Sequence, residues 1–182
     1  DYCENSRRAT YLQQEYAIDN PHKFAGYAST CWGITASEGP GPSTVKVDGV
    51  ERQFFDYLGR GVPSGPDDGT LAPWAVVASL PFAPEIVVPA LEALEHTHPA
   101  ITGDLGYKCS YNAPCIDGSD GTKGWVSQGY YAIDQGPVVL MLENHRSEFV
   151  WTLMRRCPYI VDGLRAAGFD GGWLSSAPDG AQ

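Results

Sequence analysis

Positive charge is scarce in this chain, which sets 12 Lys and Arg against 22 Asp and Glu for a formal net charge of −10. Surfaces that gather nucleic-acid phosphates or anionic lipid heads need a positive field, so the balance argues against both partners. Long apolar runs are also missing. Val138 to Leu142 is stopped by Glu143, far short of the ~20 residues that cross a bilayer as a helix. No signal-peptide pattern opens the chain, and its first residue is Asp1, which reads as a cut or processed terminus. Cysteines are few and odd in number, at positions 3, 31, 109, 115 and 157. Their spacing signals neither a zinc ribbon nor a disulfide framework. Cys109 and Cys115 are placed to pair locally, with two free thiols as the alternative, so the redox compartment stays open. A phosphate loop ending in Lys and Ser/Thr is absent, and so is a serine nucleophile elbow.

What is present is a 182-residue chain with 43% apolar residues, enough for one core and incompatible with disorder. Its 21 Gly and 14 Pro predict many ordered turns, and its 5 Trp and 10 Tyr supply flat rings suited to a core or to sugar faces. Ala9, Leu12 and Tyr16 predict a helix over residues 1–19, stopped by Asn20-Pro21. A Gly/Pro-rich connection follows to about Gly69, with a small hairpin around Asp48-Gly49. Connections this long are usually functional in a compact domain. Thr70 is placed to cap a second helix ending at Leu80-Pro81, and Pro84 opens a third, bent by Pro89. A second Gly- and Asp-rich connection covers residues 99–131. A long helix is expected over residues 135–156, and a last one over 158–167 closes at Gly168. The sum is an all-α domain with long Gly/Pro-rich loops and at most a small β-ribbon.

Several side chains invite a functional reading. Asp134 is expected just before the long helix, where it is either a helix cap or an ionised base held by the helix dipole. Glu38 and Asp68 lie in loops, where a carboxylate can accept from sugar hydroxyls or simply make a turn. Trp32 and Trp125 sit next to glycines and can stack on sugars or anchor a core, and Tyr131 is grouped with them around Asp134. Glu143 and Arg146 are spaced for an ion pair, expected to be buried near a pocket rim, while Arg8 reads as structural. His96, His98 and Asp104 lack the context of a metal site. No cofactor is implied.

Five ordered motifs, Glu4 to Thr10 (ENSRRAT), Trp32 to Pro40 (WGITASEGP), Asp68-Gly69-Thr70 with Ser79 to Phe82 (SLPF), Ile133 to Pro137 (IDQGP) and Glu143 to Ser147 (ENHRS), span nearly the whole chain. Together they resemble the glycoamylase-like family of bacterial carbohydrate enzymes, which includes endo-β-1,2-glucanases and the related domain of cyclic β-1,2-glucan synthases. The resemblance implies the C-terminal half of an (α/α)6 toroid, truncated at its N-terminus, with the missing half as its first partner. It implies an inverting glycoside hydrolase or transglycosylase acting on a β-glucan, with β-1,2 the expected linkage. Asp134 then corresponds to the general base, and the general acid lies upstream of this chain. A glucan-binding domain without catalysis is the alternative. Periplasmic or extracellular residence is the corresponding expectation.

Overall fold

The computed structural model describes residues 1–117 and 122–176. Helix α1 spans Tyr2–Asp19. The Asp1 carboxylate accepts from the amides of Cys3 and Glu4 and caps its start, and Asn20 ends it in the left-handed conformation. Strands β1 (Ser43–Val47) and β2 (Val50–Phe54) pair antiparallel from Ser43↔Phe54 to Val47↔Val50. Their turn places both Asp48 and Gly49 at positive φ, the geometry that favours Asp-Gly in a two-residue hairpin.

Thr70 does not cap a helix. It begins β3 (Thr70–Leu71), which pairs with β6 (Tyr111–Asp117), and β6 pairs in turn with β7 (Thr122–Val126). The Thr70 hydroxyl accepts from the Asn112 side chain at 2.9 Å, so it is already committed to the sheet. Helix α2 (Pro73–Ala78) starts behind Ala72, and α3 (Pro84–Thr97) follows with Pro89 inside it. Two-residue strands β4 (Thr102–Gly103) and β5 (Gly106–Tyr107) form a minimal hairpin. The fold is therefore rich in helix but carries, among the described residues, three small sheets where one ribbon was expected. The register of β6 against β7 shifts between Asn112 and Ile116. Pro114 lies in that interval, which fits the confinement of proline to bulges and edges.

Helix α4 spans Ala132–Ser147, starting before the expected boundary and ending well short of Arg156. Glu148 turns left-handed, and α5 (Phe149–Arg155) begins with the Phe149 amide donating to the Ser147 hydroxyl and the Trp151 amide to Asn144 Oδ1. These two polar side chains satisfy the new helix start. Helix α6 spans Pro158–Ala166, and Gly168 takes the positive φ that ends it.

By its contacts the chain forms two compact units, Asp1–Met141 and the residues from Leu142 onward. The core of the first collects Ala17, Trp32, Ile34, Leu71, Val76, Val87, Leu94, Ile101 and Tyr111. A smaller cluster joins Val47, Phe54 and Cys115, with Trp125 packed on it. In the second, Val161 and Leu174 are buried, whereas Phe149, Leu153, Met154 and Tyr159 are exposed. Among the described residues, no helix is long and apolar enough to cross a membrane.

Candidate functional site

The loop that carries Glu38 is fixed from α1. The Gln13 amide donates to the Ile34 carbonyl and accepts from the Ile34 amide, both at 2.8 Å, so one side chain substitutes for a neighbouring strand. Gly33 has φ +114°, and a Cβ there would lie 2.8 Å from Val76 Cγ2 and 2.9 Å from the Ala72 oxygen. Only glycine fits this approach. Ser37 and Leu58 then exchange backbone hydrogen bonds at 3.2 Å. The Ser110 hydroxyl donates to the Glu38 carbonyl at 2.7 Å.

These contacts leave the Glu38 side chain between two hydroxyls. Ser127 donates to Oε2 and Tyr131 to Oε1. The glutamate raises the Tyr131 phenol to about 12, through that hydrogen bond first and through burial and charge second. Gly129 makes room for the tyrosine, because a Cβ there would meet its ring and hydroxyl at 2.5 Å.

Asp134 stands in the first turn of α4, where its own amide donates to the Tyr131 carbonyl at 3.0 Å. It is not the residue before the helix, and its carboxylate is not engaged as a cap. The side chain is 5% exposed, and its Oδ2 has no hydrogen-bond partner among the described residues. Burial raises its carboxyl above the usual carboxylate value, and the Glu38 charge adds to that rise, against a hydrogen bond from the Cys109 thiol. The helix dipole was expected to favour the ionised form, but desolvation and a like charge outweigh it in setting the direction of the shift. Burial likewise pushes the Cys109 thiol up to about 11. Cys109 and Cys115 are both buried and not joined by a disulfide. The structure therefore brings Asp134, Glu38, Tyr131, Ser127 and Cys109 together.

Other expected site residues lie elsewhere. Asp68 has a fully enclosed side chain paired with Arg60, so it has no surface to offer a sugar. Trp32 is 3% exposed within the main core and has no open face for stacking. Trp125, on β7, is half-buried against the Val47 cluster. Glu143 and Arg146 do pair, at 2.8 Å, but on an open surface with Arg146 largely in solvent, contrary to the expected burial. Arg8 pairs with Glu4 on the surface of α1. Arg7, which the sequence reading passed over, bonds the Phe82 carbonyl and Glu85 of α3. No cluster of metal-ligating residues occurs among the described residues. A cavity of about 590 Å³ bordered by Asn20, Lys23, Phe24, Arg52 and Pro114 includes none of the Asp134 cluster.

Ser127 and Cys109 were missed because a lone Ser or Cys in a loop carries no periodic signal. Asp67 was missed too. It accepts from the hydroxyls of Tyr16 at 3.0 Å and Tyr27 at 2.6 Å and from the Gly69 amide at 3.0 Å, tying α1 to the segment that leads into β3.

Comparison with known proteins adds to this geometry. An exo β-1,2-glucooligosaccharide sophorohydrolase (non-reducing end) from Parabacteroides distasonis is 28% identical over 166 residues, 91% of this chain and 20% of that protein. The crystal structure of a "putative glucoamylase" from Bacteroides uniformis superposes with a TM-score of 0.77 at 32% identity, covering 96% of this chain and 37% of that one. An endo-β-1,2-glucanase from Chitinophaga pinensis, solved with sophorotriose and glucose, gives a TM-score of 0.75 at 30% identity over 95% of this chain and 36% of that one. The chain thus spans well under half the length of these relatives. The Glycoamylase family model, described as "putative glucoamylase", matches residues 1–158, and the chain belongs to that family.

Proposed function

We propose that this segment supplies the base of an inverting glycoside hydrolase acting on a β-1,2-glucan, with Asp134 activating the attacking water. The observation that carries this reading is the Asp134 carboxylate, nearly buried yet with an Oδ2 that has no partner among the described residues. A buried acceptor without a donor is costly in a folded chain. It is the state expected of a group whose partner arrives with substrate. The relatives named for β-1,2-glucan hydrolysis support the substrate class.

Inverting hydrolysis pairs a carboxylate base with a carboxylic acid about 6.5–9.5 Å away, which leaves room for water. Glu38 is a poor choice for that acid, since each of its oxygens accepts from a hydroxyl. The resemblance to the glycoamylase-like family implies an acid upstream of this segment, in the other half of an (α/α)6 toroid. Trp125 and Tyr131 keep exposed surface with which to meet a sugar. A glucan substrate is consistent with periplasmic or extracellular residence.

The test is turnover of β-1,2-glucooligosaccharides by the full-length polypeptide and its Asp134→Asn variant. Loss of the base lowers kcat by roughly 10²–10⁴-fold with KM little changed. Unchanged turnover removes Asp134 from the mechanism.

A further inference from the structure

We propose that Glu38 is a positioning residue rather than a sugar ligand: clamped by the hydroxyls of Ser127 and Tyr131, it presents a fixed negative charge to Asp134 and poises that residue to take a proton from water. The inference rests on Asp134 being the base.

The geometry supports it in three steps. First, the carboxylate of Glu38 is occupied at both oxygens, by Ser127 at Oε2 and by Tyr131 at Oε1. Each oxygen keeps a second lone pair, so the clamp fixes the orientation of the carboxylate without exhausting it. Second, the clamp is anchored from several elements. Ser110 holds the Glu38 carbonyl at 2.7 Å, and the Ser127 amide donates to the Ser110 carbonyl at 3.0 Å. The Ser127 hydroxyl in turn accepts from the Gly129 amide at 3.1 Å. Third, the tyrosine that grips Glu38 also receives the Asp134 amide on its carbonyl. The clamp and the proposed base thus share one turn of backbone.

The titratable groups facing Asp134 are Glu38 from the loop before β1, Cys109 from the connection between β5 and β6, and Tyr131 from the residue before α4. Cys109 and Tyr131 are raised to about 11 and about 12, so both are neutral throughout the range in which a carboxylate titrates. Glu38 is the one carboxylate among these three, and its charge acts on Asp134 to raise it. A carboxylate beside a like charge is a stronger proton acceptor, and it needs a higher pH to become ionised.

The experiment is the pH profile of kcat/KM on β-1,2-glucooligosaccharides for the full-length wild type, Glu38→Gln, Tyr131→Phe/Ser127→Ala and Asp134→Asn, with melting curves for each. Removing the Glu38 charge moves the acid limb to lower pH, by about half a unit or more, and a weaker base lowers plateau kcat by about 3–10-fold. KM stays within about twofold of wild type, as expected when binding contacts are untouched. Should Glu38→Gln not fold, the double variant carries the test. With both donors gone the glutamate is no longer held against Asp134, and the acid limb moves in the same direction.

An acid limb that stays in place in folded variants overturns the proposal, whether KM rises, as for a sugar ligand, or only stability falls, as for a scaffold residue. Full turnover by Asp134→Asn is a separate failure, that of the base assignment itself.

Discussion

Arg60 and Asp68 face each other as a fork against a fork, Nε to Oδ1 at 2.7 Å and Nη2 to Oδ2 at 2.8 Å, with no side-chain surface left to solvent. Arg60 also donates to the carbonyls of Ser37 at 2.7 Å and Asp56 at 3.2 Å, while Asp68 accepts from the amides of Phe55 at 3.0 Å and Thr70 at 3.2 Å. The pair thus fastens the Ser37–Glu38 segment to the end of β2 and the start of β3. Asp68→Asn leaves the guanidinium buried without its counter-charge, which costs about 3–5 kcal/mol. The check is a fall in the urea midpoint of the polypeptide carrying this segment. A midpoint within error of wild type shows that the pair adds nothing.

The two aspartates respond to pH with opposite signs. Burial alone would raise Asp68, but the Arg60 hydrogen bonds and charge, with Thr70 and Phe55, hold it below its ordinary 3.8. Its stabilisation is present above 3.8 and is lost as pH falls through the lower native value. Asp134 is raised above 3.8, so the native state holds its proton more tightly than the unfolded chain. Stability then declines as pH rises from 3.8 through the raised value. Asp134→Asn removes that decline and melts no lower than wild type at pH 7, with any gain closing as pH approaches 3.8. A clear drop in melting temperature at pH 7 contradicts this and indicates a stabilising contact for the carboxylate.

Thiol reactivity separates the cysteines. Cys3 is exposed, whereas Cys31, Cys109 and Cys115 are buried. Cys109 is further protected by a thiol raised to about 11, since the thiolate is the nucleophile. Iodoacetamide at pH 8 therefore labels Cys3 first and Cys109 only after denaturation, as read by peptide mass spectrometry. Labelling of Cys109 at the rate of Cys3 in folded protein contradicts its burial.

The elements legible in the sequence were those written locally. The stop of α1 at Asn20, the Asp48-Gly49 hairpin and the Gly168 terminus each need only a few neighbouring residues. The sheet of β3, β6 and β7 was not legible, because it joins Thr70 to Asn112 across a long separation and its second strand contains Asn112 and Pro114, both poor strand signals. Asn112 belongs there because its amide donates to the Asp68 carbonyl and Thr70 hydroxyl and accepts from the Cys115 amide. The helix break at Glu148 depends on Asn144 and Ser147 turning toward the next helix, a choice the apolar stripe does not record. Asp134 was expected to share its surroundings with Glu38 or Asp68 and with at least one of Trp32, Trp125 and Tyr131, and the structure selects Glu38 and Tyr131. Ser127 and Cys109 complete the neighbourhood and were not picked out, and the Tyr131 contact with Glu38 spans 93 residues, so no local pattern encodes which carboxylate it grips.

Gly129 tests that contact without removing any functional group. Its missing Cβ is the space occupied by the Tyr131 ring and hydroxyl, at 2.5 Å, so Gly129→Ala must move the end of the tyrosine and part it from Glu38. The side chain can swing outward, because Tyr131 is 38% exposed, and the fold should survive. Two residues that act through one contact do not add. Gly129→Ala and Tyr131→Phe therefore reduce turnover of β-1,2-glucooligosaccharides to a similar degree, and the double variant loses no more than the worse single. Gly163, inside α6, meets nothing within 4 Å, so Gly163→Ala serves as the control and stabilises by about 0.5–1 kcal/mol through helix propensity. The measurement is a double-mutant cycle on kcat/KM beside melting curves for all four variants. If the effects of Gly129→Ala and Tyr131→Phe multiply, the glycine does not act through the tyrosine, and the Tyr131 clamp on Glu38 loses its support.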